Sequence, residues 1–200
     1  MLDLKKNHPL GNNVHTPSAI SDQTDLTLSV VNIPALIQVF AKKNQTNDLA
    51  KKLGIVTKPG QACDANAFTA LPVAPGQWIL ISKDQTSSEF GAWVSKTIDG
   101  LGYVSEQSDS RVCIRISGSK AHDIMTRGCR LDLHSSIVSK GFCAQTIMAQ
   151  IGVLMHIVDD GPVYDLYVYS GFARSFWHWL RETASQFEYH MTSEGFEDRM

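Results

Sequence analysis

No apolar run in the chain approaches the roughly 18 residues needed to cross a bilayer. The opening MLDLKKNHPLGNNVH holds no apolar stretch of signal-peptide length. There is no charge surplus: 18 Lys and Arg stand against 20 Asp and Glu, a net charge of −2. That balance excludes a sequence-wide nucleic-acid footprint, and the nearest thing to a basic stripe is two short pairs, Lys42-Lys43 and Lys51-Lys52. Closely spaced cysteines are also missing. Cys63, Cys113, Cys129 and Cys143 contain no C-x-x-C pair, so free thiols are expected. The phosphate-binding loop G-x-x-x-x-G-K-[ST] is absent too, as is the nucleophile elbow G-x-S-x-G. Gly100-Leu-Gly102 starts like a dinucleotide fingerprint but lacks the third glycine, and it follows a helix and precedes a strand, the reverse of the required order. These absences predict a soluble, cytoplasmic protein with neither nucleic-acid nor membrane partners.

What is present suffices for a core: 200 residues, 43% of them apolar. Residues 1–22 carry Asn, His, Pro, Gly and Ser without an apolar period and read as a flexible arm. Residues 23–192 read as a single domain, or two lobes meeting near residue 105, and 193–200 as a loose tail. Strands are predicted over Leu26–Val31, Leu36–Phe40 and Trp78–Ser82, and a short helix over Asn47–Leu53 closed by Gly54. Lys58–Pro75, with three prolines, reads as an irregular connection. Thr86-Ser-Ser-Glu89 is a capping box opening a helix whose buried face is Phe90, Trp93, Val94, Ile98 and Leu101. Arg111–Ser117 alternates as a half-buried strand, and Ser119 is placed to cap a helix stopped by Gly128. Thr146–Val158 is one long apolar stretch, turned by Asp159-Asp160-Gly161-Pro162 into a hairpin with Val163–Tyr169. Phe172, Phe176, Leu180, Ala184 and Phe187 then trace a final amphipathic helix. The class is α+β, with largely antiparallel sheets and amphipathic helices.

Few residues carry chemistry. Cys129, Asp132, His134 and Cys143 could all ligate zinc, yet their spacing matches no structural zinc pattern. The plainer expectation is that Asp132 and His134 bond loop backbone while the cysteines pack as small apolar groups. A Cys143–His134 nucleophile needs a contact in space that spacing does not supply. Asp159 and Asp160 sit where a turn uses them. Trp177 and Trp179 point roughly 200° apart on a helix. Either one faces away from the core or the helix is enclosed on two sides, and an exposed tryptophan is a favoured interface anchor.

Arg127-Gly128-Cys129-Arg130-Leu131-Asp132-Leu133-His134, followed by Gly141-Phe142-Cys143-Ala144-Gln145-Thr146, resembles the "GCPLDLH … G-x-CAQT" signature of the gamma subunit of heterotetrameric sarcosine oxidase. Ser170 to Leu180 resembles that family's "RSFA-x-SFW-x-WL" helix, Arg111 to Ala121 its strand and S-G-x-x-A segment, and Pro75 to Leu80 its "GP-x-x-WL" element. Arg130 departs from the usual proline and Gly171 from the usual serine. The resemblance implies the fold of the folate-binding aminomethyltransferase domain and a small subunit with no catalytic, cofactor-binding or metal-ligating residues. FAD, FMN, NAD and tetrahydrofolate are then expected in other subunits, with alpha, beta and delta subunits as partners and the large alpha subunit the nearest. The implied overall reaction demethylates sarcosine to glycine and releases formaldehyde or methylenetetrahydrofolate. Relatives of the same plan act on N-methylglutamate and other N-methyl amines. Arg127, Arg130, Trp177 and Trp179 are the candidate interface residues; Gly128, Cys129, Asp132, His134, Gly141, Cys143, Gln145 and Thr146 are structural motif residues, with Gly128 expected as a helix cap and Gly141 as a turn glycine. Two other readings stay open. Lys140 to Gln145 partly resembles the "KGC-x-x-GQE" motif of folate-dependent iron–sulfur repair proteins, which suggests a free-standing folate-binding protein. A metal- or cysteine-dependent hydrolase would rest on Cys143 and His134 alone.

Overall fold

The computed structural model describes residues 9–10, 25–56 and 58–194. Its elements in chain order are β1 (Leu26–Val31), β2 (Leu36–Ala41), α1 (Thr46–Leu53), β3 (Cys63–Asp64), β4 (Phe68–Ala74), β5 (Gln77–Ser82), α2 (Ser87–Ile98) and β6 (Gly102–Glu106). These are followed by β7 (Arg111–Ser117), α3 (Ala121–Gly128), β8 (Cys143–Met148), β9 (Ile151–Asp159), β10 (Val163–Tyr169), α4 (Ala173–Ala184) and β11 (Tyr189–Glu194). The fold is α+β. One sheet runs β11-β1-β7-β10-β9-β8 and the other β3-β4-β5-β2-β6. Every paired neighbour is antiparallel except β1 with β11.

The apolar side chains fall into three layers that explain the stacking. Leu28, Val30, Ile114, Ile116, Leu166 and Met155 of the six-stranded sheet bury against Ile124, Met125, Phe176 and Leu180 of α3 and α4. Ile37, Val39, Phe68 and Leu80 of the five-stranded sheet bury against Leu49, Leu53, Phe90 and Val94 of α1 and α2. Between the sheets lies a thinner layer: Leu36, Leu71 and Ile79 from one, Cys113, Cys143, Leu154 and Tyr167 from the other. The order is therefore helices, sheet, sheet, helices. All four cysteines are free thiols. No helix among the described residues is long and apolar enough to cross a membrane.

Several local expectations change. Lys58–Pro75 is not irregular throughout, because β4 pairs with β5 across Phe68–Ala74. Pro72 is tolerated there since β3 covers only Ala70 and Thr69, and the ladder shifts register between Pro72 and Ala74. Thr146–Val158 is two strands. Ala149 and Gln150 form a two-residue turn with φ of 50° and 65°, the pattern of a type I′ hairpin without the usual Asn-Gly that would have announced it. β7 is buried on both faces, not half-buried, because Cys113 enters the layer between the sheets. Ser119 does not cap α3; its hydroxyl bonds Asp25 at 2.8 Å, and Lys120 holds the N-cap position without a side-chain bond. Trp93 packs on Phe90 and Phe68 at the edge of its core and stays 39% exposed, and Phe172 is 56% exposed, outside the core its helix was expected to fill. The first two residues of the expected tail belong to β11, which runs parallel to β1 over Leu26–Val31; the rest of that tail lies outside the described residues. The expected arm lies outside the described residues except for Pro9 and Leu10. Leu10 is 1% exposed in the core beneath α4, and Arg174 Nε donates to the Pro9 carbonyl at 3.2 Å.

Candidate functional site

The two late motifs meet three other segments of the chain, and each contact has a packing reason. Gly128 closes α3 without adopting a left-handed φ, so it is not a C-cap glycine. A Cβ there would lie 2.5 Å from the Trp179 ring and 3.0 Å from Met148 Cγ. The glycine is required because the tryptophan ring occupies the space of its side chain. Trp179 also packs on Phe176, with ring centroids 5.7 Å apart. Trp177, on the other flank of α4, is 3% exposed and borders a cavity shared with Leu10. The helix is thus enclosed on both sides, which leaves Trp177 and Trp179 little free surface.

The loop after α3 uses its polar groups internally. Asp132 Oδ1 accepts from the His134 amide at 3.0 Å, and His134 Nδ1 accepts from the Ser136 amide at 3.2 Å and lies 2.7 Å from its hydroxyl. Cys129 Sγ stands 4.0 Å from Thr146 Oγ1, and Cys129 bridges Met148. Gly141 is a turn glycine, φ 84°, and a Cβ there would strike the Gln61 amide. Its carbonyl accepts from Ala62 and its N–H donates to Ile157, both at 2.7 Å, so it ties the β3 approach to β9.

Strand β8 then clasps the other sheet. Cys143 Sγ faces the Pro72 carbonyl at 3.9 Å, and Gln145 Nε2 donates to the Val73 carbonyl at 2.9 Å. Burial pushes the Cys143 thiol up to about 12, so at neutral pH it stays protonated and is a poor nucleophile. His134 is exposed in its loop, with Asp132 and Ser136 as its bonded neighbours. The described residues contain no group of three His, Cys, Asp or Glu side chains that could hold a metal ion. Asp159 serves its turn, accepting from the Gly161 amide at 3.0 Å and from Lys140 Nζ at 3.0 Å; Asp160 accepts from the Lys140 amide at 2.6 Å. Arg127 stacks over Phe187 at 5.6 Å, and Arg130 is exposed.

Sequence reading missed one polar constellation. On the face between the sheets, Ser29, Arg115, Asp165, His156 and Cys143 stand opposite one another in a single register row across β1, β7, β10, β9 and β8. Arg115 grips Asp165 with two bonds, Nε to Oδ1 at 2.7 Å and Nη2 to Oδ2 at 3.0 Å. Ser29 Oγ lies 2.7 Å from Thr192 Oγ1. His156 is 8% exposed, and burial lowers its pKa against the opposing pull of Asp165 and Asp64. The sequence signal available was a charged residue at the inward position of each of two paired strands, Arg115 and Asp165.

The sequence model of the sarcosine oxidase, gamma subunit family matches residues 49–186, a span that holds both late motifs, Trp179 and the β8 contacts with Pro72 and Val73. The chain belongs to that family. Among solved structures, heterotetrameric sarcosine oxidase from Corynebacterium sp. U-96 contains a chain with a TM-score of 0.72 and 20% identity, covering 81% of this chain and 85% of that one. Aminomethyltransferase T of the glycine cleavage system from Bartonella henselae matches at a TM-score of 0.63 and 14% identity. It covers 84% of this chain, which spans only 48% of the aminomethyltransferase. No curated protein matches by sequence. The family's motif residues thus sit where they fasten α3 to α4 and one sheet to the other.

Proposed function

We propose that this chain is the non-catalytic gamma subunit of a sarcosine-oxidase-type complex. Family membership supports the complex, and the observation that supports a non-catalytic part is how the motif is used. Gly128, Gly141 and Gln145 serve packing and backbone bonds, Asp132 and His134 hold a loop, and Cys143 is a buried protonated thiol. The demethylation of sarcosine to glycine, with FAD, FMN, NAD and tetrahydrofolate, then belongs to alpha and beta subunits, and the one-carbon unit leaves as formaldehyde or methylenetetrahydrofolate. A related N-methylglutamate or N-methyl amine dehydrogenase would use the same small subunit, since nothing in this chain selects the amine.

The test is affinity purification of the tagged chain from its own cells, followed by mass spectrometry and a visible spectrum. Larger subunits with flavin absorbance are expected. A colourless single band would instead favour a free-standing folate-binding protein, for which the aminomethyltransferase-like fold is the supporting observation. Titration of that band with tetrahydrofolate would then decide whether the fold still binds folate.

A further inference from the structure

The arginines of the chain are not used alike. Arg115 is locked to Asp165, and Arg111 lies over the Tyr169 ring at 4.0 Å and donates to its hydroxyl at 2.8 Å. The other four described arginines, Arg127, Arg130, Arg174 and Arg181, are exposed and form no salt bridge among the described residues. All four belong to the layer of α3 and α4. The acids of α3 and α4 are already engaged: Asp123 faces Lys120 at 3.5 Å and Glu182 faces His178 at 3.3 Å. Of the other acids near that layer, Asp132 is held in its turn and Glu188 is exposed. With Lys120, the layer carries five Lys and Arg against these four acids, an excess of one positive charge in a chain of net charge −2.

Within that layer Arg174, His178 and Arg181 recur at helical spacing on the outward side of α4. With Leu10 and Trp177 they line an open cavity of about 240 Å³. Two arginines supply the fixed charge of that lining, and the remaining residues are His178, Trp177 and Leu10. Small-molecule sites usually run to roughly 300–1,000 Å³. The cavity is therefore sized for a side chain of another protein better than for a cofactor.

We infer that the outer face of α4, centred on Arg174, His178 and Arg181, docks this subunit onto an acidic surface of a partner subunit, with a partner carboxylate side chain seated in the cavity. This rests on the reading of the chain as a subunit of a larger complex. It moves the anchor from the two tryptophans, which the chain itself encloses, to the arginines beside them. Exposed arginines favour such a role because the guanidinium fork pairs a carboxylate with two bonds and gives up little hydration.

The experiment replaces the cell's own copy with a tagged one and purifies it at about 0.15 M salt, where charges more than roughly 8 Å apart are screened. The amount of flavin-bearing partner recovered per tagged chain is compared for wild type, Arg174→Glu with Arg181→Glu, and Lys51→Glu with Lys52→Glu on exposed α1 positions. The α4 pair is expected to lose at least tenfold of the partner and the α1 pair less than twofold, and wild type should release partner as salt rises. Circular dichroism and a thermal melt establish that each variant is folded. Should the reversal prevent folding, the milder Arg174→Gln with Arg181→Gln takes its place. Retention of the partner by a folded α4 variant, or equal loss from the α1 variant, overturns the docking face while leaving the subunit reading intact. Failure of wild type to retain any subunit overturns both.

Discussion

Across the six-stranded sheet, Val30, Ile114, Leu166 and Met155 form an apolar row under α3 and α4, whereas the neighbouring row on the opposite face is Ser29, Arg115, Asp165 and His156. One face is held by area. The other joins a small apolar layer and depends on a few directed bonds, including the Arg115–Asp165 fork and the Gln145 clasp on Val73. An apolar face tolerates exchange of one side chain for another of similar volume, while a buried polar row tolerates almost none, because each group left without its partner keeps its full desolvation cost. The family motifs follow this division. Gly128 and Trp179 belong to the apolar side, and Cys143 and Gln145 to the side between the sheets.

The sharpest break of that contrast is Asp165→Asn. It leaves the Arg115 guanidinium beside a neutral amide, and removing one partner of a buried pair costs about 3 kcal/mol. The Arg115 side chain is 26% exposed, so water recovers part of the penalty. Replacing both residues, as Arg115→Met with Asp165→Leu, should regain most of the loss if the pair only fills space. Urea unfolding of the two variants measures this. A single variant as stable as wild type would show that the fork adds nothing to holding the sheets together.

Next in size is Gly128→Ala, on the other face. A methyl group would lie against the Trp179 ring at 2.5 Å and cannot be absorbed without moving α4 on α3, so overpacking should cost about 2 kcal/mol. Trp179→Leu opens the space, and the cost of Gly128→Ala in that background should fall below half. Equal costs in the two backgrounds would mean the glycine is needed for something other than the ring.

The elements were largely legible in the sequence and the site was not. β1, β2, β5, α1 and the hairpin of β9 with β10 follow from local patterns, and the Thr86–Glu89 capping box forms as read. β4 was hidden by Pro72, which reads as a breaker and lies where β3 no longer covers the strand. The β8–β9 turn was hidden because Ala149 adopts a positive φ that alanine seldom takes, so the tertiary bridge of Cys129 with Met148, not turn chemistry, accounts for it. Alternation located β7 and β10 at their bounds but not their second buried face, because the other sheet covers the side that carries Cys113 and Tyr167. The family resemblance was readable from a few short motifs. Why those residues matter was not, since Gly128 with Trp179 and Gln145 with Val73 are contacts between segments 51 and 72 residues apart.

The smallest effect distinguishes the polar row by pH. His156 is buried beside Asp165, Arg115, Asp64 and the neutral thiol of Cys143, and burial holds its pKa below the ordinary 6.5 despite the two carboxylates. In the unfolded chain the imidazole takes a proton near 6.5, while in the folded chain it does so only at lower pH. Between those values the unfolded state binds more protons, so stability falls as pH falls, by at most about 1.4 kcal/mol per pH unit for one group. Above 6.5 both states are neutral at this residue and the effect vanishes. Unfolding free energies at pH 7.5, 6.5 and 5.5 should therefore decline from the second value to the third in wild type and decline less in His156→Gln. If His156→Gln keeps the full wild-type slope, the acid sensitivity lies elsewhere, and the two faces of the sheet then differ only in how they are packed.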